Sequence, residues 1–209
     1  MVVNASRQSD RTEAAPLRDA LVLLREQRGD AVVITTMAAE REWLKISAHD
    51  RDFFYVPSSM GQAPALGLGV ALARPELNVI VLNGDGCMLM NLGCLVTIAE
   101  QSPPNYRLVV INNGVYEVTG AQPVPGGGRV DFAAIARAAG FAHVFSCRTM
   151  ADWKEIVPRF VRLRGPVFVD LHVQPTPGED LQPVAPCPMP EQMQRFRQAI
   201  GAGFEPHDS

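Results

Sequence analysis

Two short turns carry the residues best suited to chemistry. Gly84-Asp85-Gly86 follows the apolar run 79–82, and Asn112-Asn113-Gly114 follows the apolar run 108–111. One turn offers a carboxylate and the other a carboxamide, oxygen donors that suit a hard divalent cation. The glycines on either side of Asp85 carry no Cβ, so the backbone there can turn sharply and come close to a phosphate. A helix starting here turns the amides of Gly86 and Cys87 outward, an anion-binding arrangement. Asp85 then serves as a charged metal ligand, Asn113 as a neutral one and the main-chain carbonyl of Val115 as a third, with a diphosphate on the cation's other side. Either tripeptide alone is usually plain turn chemistry. Their conjunction points to a site, because each directly follows a buried-type strand and one helix separates them.

Such turns need a scaffold that opens both onto one edge. Short apolar runs at 31–34, 53–56, 79–82, 108–111, 141–145 and 167–173 read as strands. Helical patterns lie between them. Pro16 opens one with Leu17, Ala20, Leu21 and Leu24 on one face, closed by Gly29. Others fall at 40–47, at 61–73 as a small-residue helix buried on most sides, and at 88–101. Asp131 caps the next, which carries Phe132, Ile135, Ala136 and Ala139 and ends at Gly140. Thr149 with Asp152 starts the one bearing Trp153, Ile156, Val157 and Phe160. Continuous apolar strands alternating with amphipathic helices predict an α/β fold: a single doubly wound, mainly parallel sheet with helices on both faces. In such a sheet the turns after 82 and 111 open on the same carboxyl edge, where ligands bind.

The 209 residues suffice for one sizeable core, with 47% hydrophobic and 20% charged residues. Nineteen basic against 22 acidic side chains leave a net charge of −3, so no overall basic field recruits nucleic acid or an anionic membrane. Cys87, Cys94, Cys147 and Cys187 form no CxxC pair, which argues against zinc or an iron–sulfur cluster and suits reduced thiols in the cytoplasm. No apolar run is long enough to span a bilayer. Residues 1–15 are polar, mix both charge signs and read as a disordered leader. Six prolines between 175 and 190 break up regular structure, and a short helix at 189–200 follows in a C-terminal extension.

Asp85 within Gly-Asp-Gly, with Asn112-Asn113 at this distance, resembles the thiamine-diphosphate motif of the 2-oxoacid decarboxylase and acetolactate synthase superfamily. The resemblance covers roughly residues 31–173 and identifies 16–174 as a diphosphate-binding domain. It implies magnesium held by Asp85, Asn113 and the backbone of Val115, with Thr36, Met60, Gly61, Gly84, Gly86, Cys87 and Tyr116 beside the cofactor. Residues 35–42 (TTMAAERE), 58–61 (SSMG) and 113–120 (NGVYEVTG) are similar to phosphonopyruvate and sulfopyruvate decarboxylases. In that family a bulky apolar residue at the position of Met60 props thiamine into a bent shape, and a flexible thioether suits the task. Two positions depart from the pattern. Cys87 stands where serine is frequent, and Ala39 where Ser or Thr is frequent, so hydroxyl contacts are lost there.

About thirty residues precede the first strand, too few for a second α/β domain. The family's pyrimidine-binding domain, with the glutamate that activates the cofactor, is therefore expected on a partner subunit. The resemblance thus implies one subunit of a hetero-oligomeric carboxy-lyase acting on a small 2-oxo acid. An acetolactate-synthase-like carboligase shares the motif, as does a non-catalytic module that only binds the cofactor. Ferredoxin-linked oxidoreductase β subunits use the same fold, but clustered cysteines are missing here. No catalytic residue is assigned to this chain: Glu40 and Glu42 are poor substitutes for the absent glutamate. Glu117 either faces substrate, caps the next helix or meets solvent. Tyr116 reads as a pocket wall. His49 reads as a solvated loop residue, His143 and His172 as ordinary strand residues, and His207 as part of a polar tail. Gly67-Leu68-Gly69 reads as close helix packing rather than a dinucleotide fingerprint. Gly126-Gly127-Gly128 is open to two readings, a lid hinge or a slack loop.

Overall fold

The computed structural model describes residues 13–57, 59–126, 129–176 and 185–201. Six strands form one sheet: β1 (Val32–Thr35), β2 (Asp52–Phe54), β3 (Val79–Gly84), β4 (Tyr106–Asn112), β7 (His143–Cys147) and β8 (Val167–His172). Their order across it is β2-β1-β3-β4-β8-β7, every neighbouring pair parallel. Helices α1 (Leu17–Gln27), α2 (Met37–Ile46) and α7 (Met150–Phe160) cover one face. The other is covered by α3 (Ala63–Ala73), α4 (Asp85–Met90), α5 (Cys94–Gln101), α6 (Phe132–Ala139) and α8 (Met189–Ala199). Helices on both sides leave the central strands no wet face, which is why β1, β3, β4 and β8 are nearly continuous apolar runs.

The chain leaves β1 toward β2 across one face and leaves β3 toward β4 across the other. The strand order therefore reverses between β1 and β3, and a crevice opens at their carboxyl ends. Register puts the two turns side by side: Gly84 pairs with Ile111, and Thr35 with Leu82.

Several elements differ from expectation. The helix predicted at 88–101 is two helices. The first starts at Asp85 itself, and the break at Asn91 lets that side chain donate to the Gly61 carbonyl at 3.1 Å. The strand predicted at 141–145 lies two residues later, freeing Phe141 to pack edge-on against Phe168. The strand predicted at 53–56 is Asp52–Phe54. A small hairpin, β5 (Val115–Tyr116) with β6 (Gln122–Pro123), follows the Asn-Asn-Gly turn and was not legible as alternation. Helix α3 is less enclosed than predicted, with Ala65, Gly69 and Leu72 exposed. Its other side is as tight as the sequence implies: a Cβ on Gly67 would stand 2.3 Å from Val81 Cγ2, so close packing explains that glycine.

Ala15 is fully buried and bridges to Val173, so the last residue of the stretch read as a disordered leader joins the sheet. Residues 1–12 lie outside the described residues, as do Ser58, Gly127, Gly128 and His207. Helix α8 docks on the sheet end, with Phe196 against Phe53 (ring centroids 4.9 Å apart) and Arg51 Nε donating to the Ala199 carbonyl at 3.2 Å. Among the described residues no helix is long and apolar enough to cross a membrane.

Candidate cofactor site

A cleft occupies the crevice at the carboxyl ends of β1, β3 and β4. Three stretches wall it: 36–39 with Arg41 after β1, 84–87 at the end of β3, and Asn113 with 115–118 after β4, with Met60 beside them. The sequence-selected residues Thr36, Met60, Gly84, Asp85, Gly86, Cys87, Asn113, Val115 and Tyr116 all line this one cavity. Gly61 stands just behind Met60. Its φ of +85° is a left-handed turn, and a Cβ there would meet the Cys87 carbonyl and Asn91 Cβ at 3.0 Å each. The glycine thus lets the chain fold onto α4 and hold Met60 at the cleft.

Asp85 is the electrostatic centre. Its side chain is 2% exposed, and its two oxygens accept amide hydrogens from different loops. Gly86 N–H donates to Oδ1 at 2.7 Å, and Gly114 N–H donates to Oδ2 at 2.7 Å. The second bond ties the β3 turn to the β4 turn. Burial raises the carboxyl pKa from 3.8 to about 6, against the pull of the Gly114 and Gly86 amides. Asn113 Oδ1 accepts from Val115 N–H at 3.0 Å. Each of these oxygens keeps a further lone pair, and a cation in the cleft would relieve the desolvation that raises the Asp85 pKa. Among the described residues no three His, Cys, Asp or Glu side chains cluster as a metal site. A cation here would draw on few protein oxygens, and a ligand that brings its own, such as a diphosphate, fits that deficit. One expectation needs correction: the Gly86 amide, predicted to face outward to an anion, is engaged by Asp85 itself.

The two glycines of the β3 turn have different reasons. A Cβ on Gly86 would lie 2.2 Å from Tyr116 Cε1, so the ring packs directly against the bare backbone and forms the wall expected of it. Around Gly84 a Cβ would meet only Cys87 Sγ at 4.0 Å, and that position has room to spare. Burial pushes the Cys87 thiol above its ordinary pKa.

Glu117 does neither of the things a solvated or helix-capping residue would. It is buried, and its Oε2 accepts from Arg41 Nη2 at 3.4 Å while Oε1 accepts from Thr176 N–H at 2.7 Å. It clasps the β5 loop to α2 and to the segment after β8. Three features escaped sequence reasoning. Met37 takes a left-handed φ of +54° on the cleft wall, a strained conformation for a side-chain-bearing residue. Asp170, buried in β8, accepts from Asn112 Nδ2 at 2.9 Å and lies 3.3 Å from His172 Nε2, so it orients the turn that presents Asn113. Arg41 is the third. Residues 35–42 resembled the family as a block, but no local signal set Arg41 apart, because its partner is 76 positions away.

Residues 33–171 match the family described as thiamine pyrophosphate enzyme, C-terminal TPP binding domain. The chain belongs to that family. It is 37% identical over 168 residues to a phosphonopyruvate decarboxylase of Streptomyces viridochromogenes, a match covering 79% of this chain and 42% of the relative. It thus spans about two fifths of the phosphonopyruvate decarboxylases it matches. It is 36% identical over 177 residues to the sulfopyruvate decarboxylase subunit beta of Methanothermobacter thermautotrophicus, covering 84% of this chain and 90% of that one. Among solved structures, a thiamine diphosphate-dependent 4-hydroxybenzoylformate decarboxylase of Rhodococcus jostii shares the fold (TM-score 0.65, 19% identity, 78% of this chain and 33% of that chain). So does a 2-oxoglutarate:ferredoxin oxidoreductase of Magnetococcus marinus (TM-score 0.62, 17% identity, 76% of this chain and 62% of that chain). The thiamine-pyrophosphate domain maps onto the strands and loops that build the cleft.

Proposed function

We propose that this chain is the diphosphate-binding subunit of a thiamine-diphosphate- and magnesium-dependent carboxy-lyase acting on a small 2-oxo acid of the sulfopyruvate or phosphonopyruvate kind. The observation that carries the reading is Asp85, a buried carboxylate bonded to amides from two loops, in one cleft with Asn113, Val115 and a glycine-bared backbone. In this reading Asp85, Asn113 and the Val115 carbonyl hold Mg²⁺. Thr36, Gly84, Gly86 and Cys87 meet the diphosphate end, while Met60 with Gly61 and Tyr116 wall the rings. Bound thiamine diphosphate supplies a nucleophilic carbon and an electron sink for loss of carbon dioxide. The chain's own residues orient the cofactor, neutralise its diphosphate through the cation and keep water from the Tyr116–Gly86 wall. The relatives named subunit beta support a pyrimidine-binding partner that completes the site. Cys87, Cys94 and Cys147 are buried free thiols, which supports a reducing, cytoplasmic setting.

The test is reconstitution. The chain is purified alone and with its candidate pyrimidine-binding partner, supplied with Mg²⁺ and thiamine diphosphate, and assayed for carbon dioxide release from sulfopyruvate, phosphonopyruvate and pyruvate. Release of the aldehyde by the pair, and not by the chain alone, supports the proposal. A 2-hydroxy ketone product would assign a carboligase instead. Full turnover by the isolated chain would refute the shared site, and cofactor binding without turnover in any pairing would leave a binding module.

A further inference from the structure

Three charged residues line the cleft: Asp85, Glu117 and Arg41. Arg41 is the one cation among these lining residues, and its side chain is only 12% exposed. A guanidinium has five donors in a planar fork, yet among the described residues Arg41 makes a single hydrogen bond, Nη2 to Glu117 Oε2, and that bond is long at 3.4 Å. Nε, Nη1 and the second Nη2 hydrogen make no further hydrogen bond among the described residues. Glu117 itself is not free to follow a ligand, because its other oxygen is fixed at 2.7 Å by the Thr176 amide. Arg41 is therefore a cation held from one side with most of its donors unspent, on the wall of a cavity whose floor is acidic.

An anion entering this half-buried cleft gives up water and needs charged donors in exchange. In the proposed function the cofactor's diphosphate has Mg²⁺ for that purpose. Among the described residues lining the cleft, Arg41 is the cation open to the substrate's sulfonate, phosphonate or carboxylate tail, and its fork matches such oxyanions in two-point geometry. We infer that Arg41 receives the anionic tail of the substrate and thereby selects 2-oxo acids that carry one, with Glu117 as the positioning residue that holds the guanidinium. This inference rests on the proposed function and deepens it.

The experiment uses the reconstituted complex with Mg²⁺ and thiamine diphosphate, and compares wild type with Arg41→Gln and Arg41→Lys. Two substrates are assayed, sulfopyruvate and the neutral-tailed 2-oxobutanoate, and cofactor affinity is measured separately by calorimetry. Loss of a charge-assisted pair should raise KM for sulfopyruvate about 10- to 100-fold in Arg41→Gln with little change in kcat. The ratio of kcat/KM between the two substrates should collapse accordingly, and Arg41→Lys should recover part of it. Equal losses on both substrates would overturn the assignment. So would a parallel loss of cofactor affinity, which would make Arg41 a diphosphate ligand. Cofactor binding with an unchanged substrate ratio sinks the Arg41 inference alone. A wild-type complex that binds no Mg²⁺–thiamine diphosphate sinks the proposed function and this inference with it.

Discussion

Raising the pH should weaken the cofactor-free fold through one residue, Asp85. Its folded-state pKa is raised by burial from 3.8 to about 6, so the folded protein holds this proton more tightly than the unfolded chain does. Between those values the folded state binds more protons, and stability falls as pH rises. At about 1.4 kcal/mol per pH unit the full loss is on the order of 3 kcal/mol, about two thirds of it between pH 4.5 and 7.5. Asp85→Asn removes this dependence. The amide also turns one acceptor into a donor facing the Gly86 or Gly114 N–H, at a pH-independent cost of about 1–3 kcal/mol. The assay is urea unfolding of both proteins, without Mg²⁺, at half-unit steps across that range. The difference in unfolding free energy, wild type minus variant, should decline by about 2 kcal/mol from pH 4.5 to 7.5. A difference that stays flat would show that Asp85 is not the desolvated carboxylate described here, and the electrostatic case for a cation would go with it.

Three further substitutions probe the architecture around that residue. Gly86→Ala drives a Cβ to 2.2 Å from the Tyr116 ring, so it should cost about 1–3 kcal/mol of stability and at least tenfold in cofactor affinity; adding Tyr116→Ala should recover the melting temperature. Gly67→Ala should cost a similar 1–3 kcal/mol (roughly) in urea unfolding, because its Cβ meets Val81 Cγ2 at 2.3 Å, yet leave cofactor affinity per folded molecule unchanged. Asp170→Ala strips Asn112 Nδ2 of its 2.9 Å acceptor and should weaken Mg²⁺-dependent cofactor binding about tenfold, measured by titration, although Asp170 does not line the cleft.

The parallel sheet was legible because its central strands β1, β3, β4 and β8 are short, nearly continuous apolar runs set off from helical patterns, and burial on both faces leaves that mark on composition. The two turns were legible for the same reason: each closes such a run. Gly67 could be read correctly because small residues along a helix serve mainly to let a neighbouring element come close. What the sequence hid depends on contacts made across it. Asn91 looks like any residue inside an apolar helix until Gly61 comes to its side chain. Hairpin strands two residues long are too short to show alternation. Glu117 stays open in the sequence between substrate, helix cap and solvent because Arg41 and the Thr176 amide, 76 and 59 positions away, reach it only in the folded chain. The outward Gly86 amide was a fair expectation from the turn alone, and the carboxylate beside it claims that hydrogen.

The most direct measurement is calorimetric titration of thiamine diphosphate into this chain, with and without its pyrimidine-binding partner, in Mg²⁺ and in chelator, for wild type and Asp85→Ala. One saturable site that needs Mg²⁺, and that weakens at least about 100-fold in a folded Asp85→Ala protein, is the expected result. Equal affinity in the variant, or binding indifferent to the metal, would contradict the cation grip on which the functional reading stands.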